Sequence, residues 1–281
     1  MNIAFSPCPN DTFIFHAWVH GLLPGAPKLE VTYADIEITN TLAVSGSGPD
    51  ILKISYGALP WVLSDYALLP CGGALGRGCG PLVLTANTNG TSSLPGSEGL
   101  AGKRVAVPSE RSTAYLLFRL WAAQHVPGGV GEIVVLPFHQ IMPAIRDGLV
   151  DAGLVIHEAR FTYPTFGLSL LVDLGGWWES ATNLPIPLGA IIVRRSLEPS
   201  TIAQWIRASV DYAWDHPEES RAYVLCHAQE LSPAVAQAHI NLYVNEFTAD
   251  LGTIGYAAVS ALFNLAAEAG LIPEVRPELL L

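Results

Sequence analysis

His157 has the clearest chemical prospects in this chain. It follows an apolar run and precedes a glutamate, in GLVIHEARFTYP. An imidazole with an ordinary pKa near ~6.5 takes or gives a proton at neutral pH. Extended backbone through His157 and Glu158 would send the two side chains to opposite sides. Glu158 is therefore expected to pair elsewhere, with Arg160 as its partner. Ser112 and Thr113 precede an apolar helical stretch, residues 114–124. The N–H groups of such a helix start attract a carboxylate or phosphate, and the two hydroxyls add donors. Ser55 closes another apolar run, and Asn10 lies in the turn SPCPND. Both are candidate contacts to a ligand. Arg77 is the one charge in CGGALGRGCGP. Two readings of it stay open, a clamp on a substrate carboxylate and a clamp on a loop.

Other chemistries lack their residues. The glycine-rich stretch contains neither GxxxxGK nor GxGxxG, so it is no nucleotide loop. His16 and His20 have the i, i+4 spacing of a metal pair, but HExxH is absent and no acidic or cysteine ligand completes a site. His125, His139, His216, His227 and His239 carry no spacing signal, and there is no GxSxG elbow. Cys8, Cys71, Cys79 and Cys226 form no CxxC pair and are expected as buried thiols in a reducing compartment. Trp177 and Trp178 are expected either to wall a ligand site or to pack in the core.

The elements that must position these residues follow one recurring pattern. Residues 2–5 read as a strand, followed by a turn and a helix over 12–20 that Asn10 or Asp11 caps and Gly21 stops. Residues 50–54, 103–107 and 151–156 are further strands, and 139–149 reads as a helix closed near Gly148. Strands alternating with helices imply parallel sheet. Residues 87–102, rich in Asn, Thr, Ser and Gly, read as a linker. Strands at 81–86 and 189–195 are read as crossings between two lobes. Lobe one is then 1–87 plus 187–281, with tail helices at 201–215, 218–229, 233–245 and 254–269, and lobe two is 88–186. This is the plan of a periplasmic-binding-protein-like fold: two α/β lobes joined by two strands, with a cleft between. Ligands of open parallel sheets sit outside the carboxyl ends of the strands. The ends carrying Ser6 to Asp11, Ser55 and Tyr56, Ser112 and Thr113, and His157 are therefore expected to face that cleft.

Composition narrows the partners. Of the 281 residues 14% are charged, against about 25% in ordinary globular chains, and 50% are apolar, which argues against disorder. The net charge of -11 disfavours a nucleic-acid surface, so an anionic small molecule must be held by local donors. Mean hydropathy is +0.36, yet Arg77 and several glycines interrupt 66–86, and Asn264 and Glu268 interrupt the last helix. No run approaches the ~20 apolar residues of a membrane span. Asp11 falls where the apolar core of a signal peptide would run, so a cytoplasmic chain is expected. The expected partner is a small anionic substrate, with no nucleic acid and no membrane, and the chain a monomer or homodimer.

The strings SPCPNDTFIFHAWVHG, KISYGA, GGALGRGCGPLV, VAVPSERSTAYLL, GLVIHEARFTYP and LPIPLGAI follow one another between residues 6 and 191. Together they resemble the 1,4-dihydroxy-6-naphthoate synthase family of the futalosine route to menaquinone. The resemblance implies a cytoplasmic carbon–carbon lyase with the periplasmic-binding-protein-like fold and no metal or organic cofactor. The implied substrate is cyclic dehypoxanthine futalosine. The implied products are 1,4-dihydroxy-6-naphthoate and dihydroxyacetone. The family's histidine base falls on His157, and its hydroxyl and backbone contacts fall on Ser55 and on Ser112 and Thr113. Ser112 departs from a more usual threonine. Proton removal beside the ring ketone makes an enolate, the sugar ring opens, and carbon–carbon cleavage leaves an aromatic diol. The helix start at Ser112 and Thr113 competes with Arg77 for the aryl carboxylate. Two alternatives remain: a chorismate dehydratase of the same fold and pathway, and a non-enzymatic solute-binding protein. The HEARFTYP string favours the synthase.

Overall fold

The computed structural model describes residues 1–88, 91–94, 96–228 and 232–280. Residues 89, 90 and 95 of the expected linker, and the expected helix end at 229, lie outside the described residues. The chain forms two units, Met1–Gly76 with Pro187–Leu281, and Arg77–Ile186.

The first unit opens with β1 (Asn2–Phe5), α1 (Pro9–Val19), β2 (Glu30–Tyr33), α2 (Ile36–Val44), β3 (Ile51–Ser55), β4 (Tyr66–Leu68) and β5 (Ala74–Gly76). The second holds β6 (Leu82–Thr88), β7 (Thr91–Ser92), β8 (Val105–Val107), α3 (Thr113–His125), β9 (Ile133–Val135), α4 (Phe138–Arg146), β10 (Ala152–Val155), α5 (Ala159–Thr162), β11 (Leu168–Asp173) and α6 (Leu174–Thr182). The chain returns through β12 (Ile186–Arg194) to α7 (Pro199–Asp215), α8 (Arg221–His227), α9 (Pro233–Tyr243), α10 (Glu246–Ala249) and α11 (Gly252–Glu268). None of the described helices is long and apolar enough to cross a membrane.

The two sheets share one plan. The first runs β2-β1-β3-β12-β4, with β5 beside β12, and the second runs β9-β8-β10-β6-β11. In each, three parallel strands meet a long antiparallel one: β12 against β3, and β6 against β10. The sheets are therefore mixed rather than purely parallel. The passage expected at 87/88 falls at the end of β6. That strand pairs with β10 and β11, so it belongs to the second sheet, and only its last two residues fall in the stretch 87–102 read as a linker.

Local chemistry explains the elements that carry the site. α1 starts at Pro9, earlier than expected, because proline's fixed φ and missing N–H suit the first helical position. Asn10 and Asp11 consequently lie inside the first turn and do not cap it. Residues 9–18 are buried on every side, with α7, α8 and α9 packed against the helix. All five residues of β3 are buried, as in a strand covered on both faces. Gly153 lets α4 lie on β10: a Cβ there would fall 2.7 Å from Ile141 and Ile145.

Candidate active site

His157 leaves β10 in a left-handed turn, with φ of 54°. That conformation costs a non-glycine residue roughly 1–2 kcal/mol, and such strain clusters at functional sites. The ring stands edge-on to Phe138, 5.4 Å between centroids at 82°. Glu158 follows in helical backbone (φ -64°, ψ -24°) and is buried. The pair is thus in a turn and not extended, so the expected opposition of their side chains does not hold. A His157 ring nitrogen and a Glu158 carboxylate oxygen lie within 4.8 Å of each other. Arg160 is engaged elsewhere, donating to Asp173 Oδ2 and to the Gly80 carbonyl, each at 2.6 Å. The expected Glu158–Arg160 pairing is replaced by these contacts.

Ser112 and Thr113 follow β8, the parallel neighbour of β10. Their helix start and His157 thus share the carboxyl-end edge of one sheet, where α/β proteins bind ligands. Ser112 caps α3: its Oγ accepts from Tyr115 N at 3.1 Å and donates to the Ser109 carbonyl at 2.9 Å. Thr113 is the first helical residue and is buried. Arg77 is half-exposed. It donates to the Asn183 carbonyl at 3.0 Å and stands 3.8 Å from Glu179. It clamps the end of α6, where Asn183 takes the left-handed conformation. Glycines of the neighbouring stretch meet backbone: a Cβ on Gly80 would fall 2.2 Å from Gly175 N. Trp178 is fully buried and donates to the Pro185 carbonyl, which makes it core.

In the first unit Ser55 ends β3. Asn40 of α2 donates to Ser55 Oγ at 3.0 Å and accepts from Ser55 N at 2.8 Å. Asn40 was not among the residues the sequence singled out; it lies between two threonines in IEITNTLAV, a setting with no distinct signal. Asn10 and Asp11 follow β1, the parallel neighbour of β3. Asn10 Oδ1 is 2.9 Å from His239 Nε2, and its Nδ2 donates to Asp11 Oδ1 at 2.9 Å. Lys53 donates to the same carboxylate oxygen at 2.6 Å and to the Gly72 carbonyl at 3.2 Å. All four side chains are buried. Burial pushes the Asp11 carboxyl up from its usual value, and the Lys53 ammonium pulls against that rise. Asn10 therefore stands within a buried chain that runs from His239 to Lys53. Tyr56, at the same strand end as Ser55, is wholly buried, and burial holds its phenol far above the usual range.

His16 and His20 face each other, ring centroids 4.5 Å apart, within an aromatic cluster that includes Tyr33, Tyr223 and His227. Cys8, Cys71 and Cys79 are buried, whereas Cys226 is exposed, contrary to the expectation for it. Burial pushes the Cys71 and Cys79 thiols up to about 12, which leaves them unreactive.

Residues 1–268 match the family described as Menaquinone biosynthesis. The chain belongs to that family. It is 64% identical to a 1,4-dihydroxy-6-naphthoate synthase of Streptomyces coelicolor, over 100% of this chain and 97% of the relative. It is 46% identical to a synthase of the same name from Thermus thermophilus, over 99% and 98%. A solved structure from Archaeoglobus fulgidus superposes with a TM-score of 0.86 at 32% identity, covering 96% of this chain and 98% of that one. A Candida albicans protein with the generic periplasmic binding protein fold gives 0.73 at 14% identity, covering 100% and 93%. An alkanesulfonate-binding protein of Xanthomonas axonopodis gives 0.70 at 16%, covering 97% and 94%. The last two show the fold alone. The chain is a menaquinone-biosynthesis enzyme with the periplasmic-binding-protein-like fold. Its curated relatives support the synthase reading over the dehydratase and transport alternatives.

Proposed function

We propose that the chain is a carbon–carbon lyase that converts cyclic dehypoxanthine futalosine to 1,4-dihydroxy-6-naphthoate and dihydroxyacetone. The observation that carries the reading is His157 held in a left-handed turn at the carboxyl end of β10. The backbone accepts that strain where a side chain must be aimed.

His157 takes the proton from the carbon beside the ring ketone, and the C–H electron pair passes into an enolate. The sugar ring opens, the carbon–carbon bond to the sugar remnant breaks, and aromatisation drives the step forward. Hydrogen-bond donors stabilise the developing oxyanion. The aryl carboxylate is assigned to the start of α3, with its first N–H groups and the Thr113 hydroxyl, on the same sheet edge as the base. Ser112 shapes that start by capping it. Ser55 and Asn10 are proposed as further contacts to the substrate. Arg77 is assigned to α6, whose end it holds.

Incubation with the cyclic futalosine derivative and mass analysis of the products tests the reading. Naphthoate and dihydroxyacetone are expected, and His157→Ala is expected to fold and abolish turnover. Near-normal turnover in that variant removes His157 as base. Formation of 3-enolpyruvylbenzoate from chorismate would assign the chain to the dehydratase instead.

A further inference from the structure

We propose that the Glu158 carboxylate orients the His157 imidazole, as a positioning residue that does not itself touch substrate. The inference deepens the reading of His157 as base and rests on it. Three observations converge on Glu158. Its carboxylate lies within 4.8 Å of a His157 ring nitrogen, and the residue is 2% exposed. The turn that brings the two together contains the strained φ of His157. That turn is fastened by the start of α5, where Arg160 N donates to the His157 carbonyl at 3.2 Å and Phe161 N to the Glu158 carbonyl at 2.8 Å.

A buried carboxylate is costly unless it is paired or hydrogen-bonded, and an imidazole N–H beside it supplies such a bond. A span below 4.8 Å is closed by one bridging water or by a modest turn of the imidazole. An N–H directed at the carboxylate fixes the tautomer, so the other ring nitrogen keeps its lone pair for the substrate. The same carboxylate stabilises the imidazolium that forms when the proton is taken. Phe138, edge-on to the ring, restricts its motion from another direction.

The test uses the full chain and the cyclic futalosine derivative. Glu158→Gln keeps the shape and removes the charge. Its kcat is expected to fall roughly 100-fold with KM little changed, short of the ~10⁴ that an orienting carboxylate supplies in a serine-protease triad. Glu158→Asp is expected to recover part of the loss. The ¹⁵N signals of His157 are expected to report one tautomer in the wild type and a mixture in Glu158→Gln. Unchanged kcat and unchanged ¹⁵N shifts in Glu158→Gln overturn the proposal. A wild-type His157 that already averages two tautomers also overturns it, and that spectrum decides even where the variant fails to fold. Turnover retained by His157→Ala sinks the base reading itself. A dead His157→Ala beside an unaffected Glu158→Gln sinks only the orienting role.

Discussion

Lys53 Nζ stands 2.6 Å from Asp11 Oδ1, and both side chains are 4% exposed. The lysine lies in the middle of β3 and the aspartate in the first turn of α1, so the pair ties the central strand to the most buried helix of its unit. Both charges are out of water, and each is tolerated only because the other is present.

Removing one partner of such a pair leaves a lone buried charge and costs about 3–5 kcal/mol. Lys53→Met is therefore expected to lower Tm by roughly 10 °C. Adding Asp11→Asn to that variant removes the stranded carboxylate and is expected to restore part of the loss. Scanning calorimetry of the two variants checks this. A single variant that melts like the wild type would show that the pair contributes nothing to stability.

Ser112 spends its hydroxyl within the fold, donating to Ser109 and accepting from Tyr115. Ser112→Ala is expected to cost about 1 kcal/mol, the usual loss for a helix cap, with KM little changed. Thr113→Val is expected to show the opposite balance, a raised KM with a smaller change in stability. Urea melts and initial rates on the two proteins separate these roles. A large KM effect in Ser112→Ala with no loss of stability would make its hydroxyl a substrate contact.

The alternation of strands and helices, and the residues at the strand ends, were legible in the sequence because burial and caps leave local marks. Strand direction was not. An apolar run such as that of β12 reads the same whether it lies parallel or antiparallel to β3, and only the returning chain decides. Nothing local in ILKIS marks the role of Lys53, since its partner lies 42 residues away. Asn40 was invisible for the same reason: its partner is a strand end 15 residues on. His157 was marked as chemically apt by its neighbours. Its left-handed backbone was not, because packing of the following turn sets φ, and residue type only weakly favours it.

His16 and His227 give a pH dependence whose sign can be worked out. Burial lowers the pKa of each below the ordinary 6.5, and nearby His20 lowers both further, with Glu219 opposing for His16. The unfolded chain therefore binds more protons below about pH 6.5, and stability falls as pH drops from there toward the folded pKa values. Above that range both states are neutral and the contribution is fully present. Thermal melts between about pH 5 and 7 are expected to show a slope that flattens in the His16→Gln/His227→Gln variant. An identical slope in both proteins would assign the acid sensitivity to other groups.

The backbone and the side chain of His157 make separable contributions. Glycine adopts φ near 54° freely, whereas alanine meets the same Cβ clash as histidine. His157→Gly is therefore expected to be more stable than His157→Ala by roughly 1 kcal/mol, while both lack turnover. The ordering isolates the conformational cost, because the two variants remove the same imidazole. Paired melts and a product assay on the two proteins suffice. If alanine proves the more stable, the turn is not strained at this position. The case that this backbone is held out of its preferred range to aim a base then loses its physical footing.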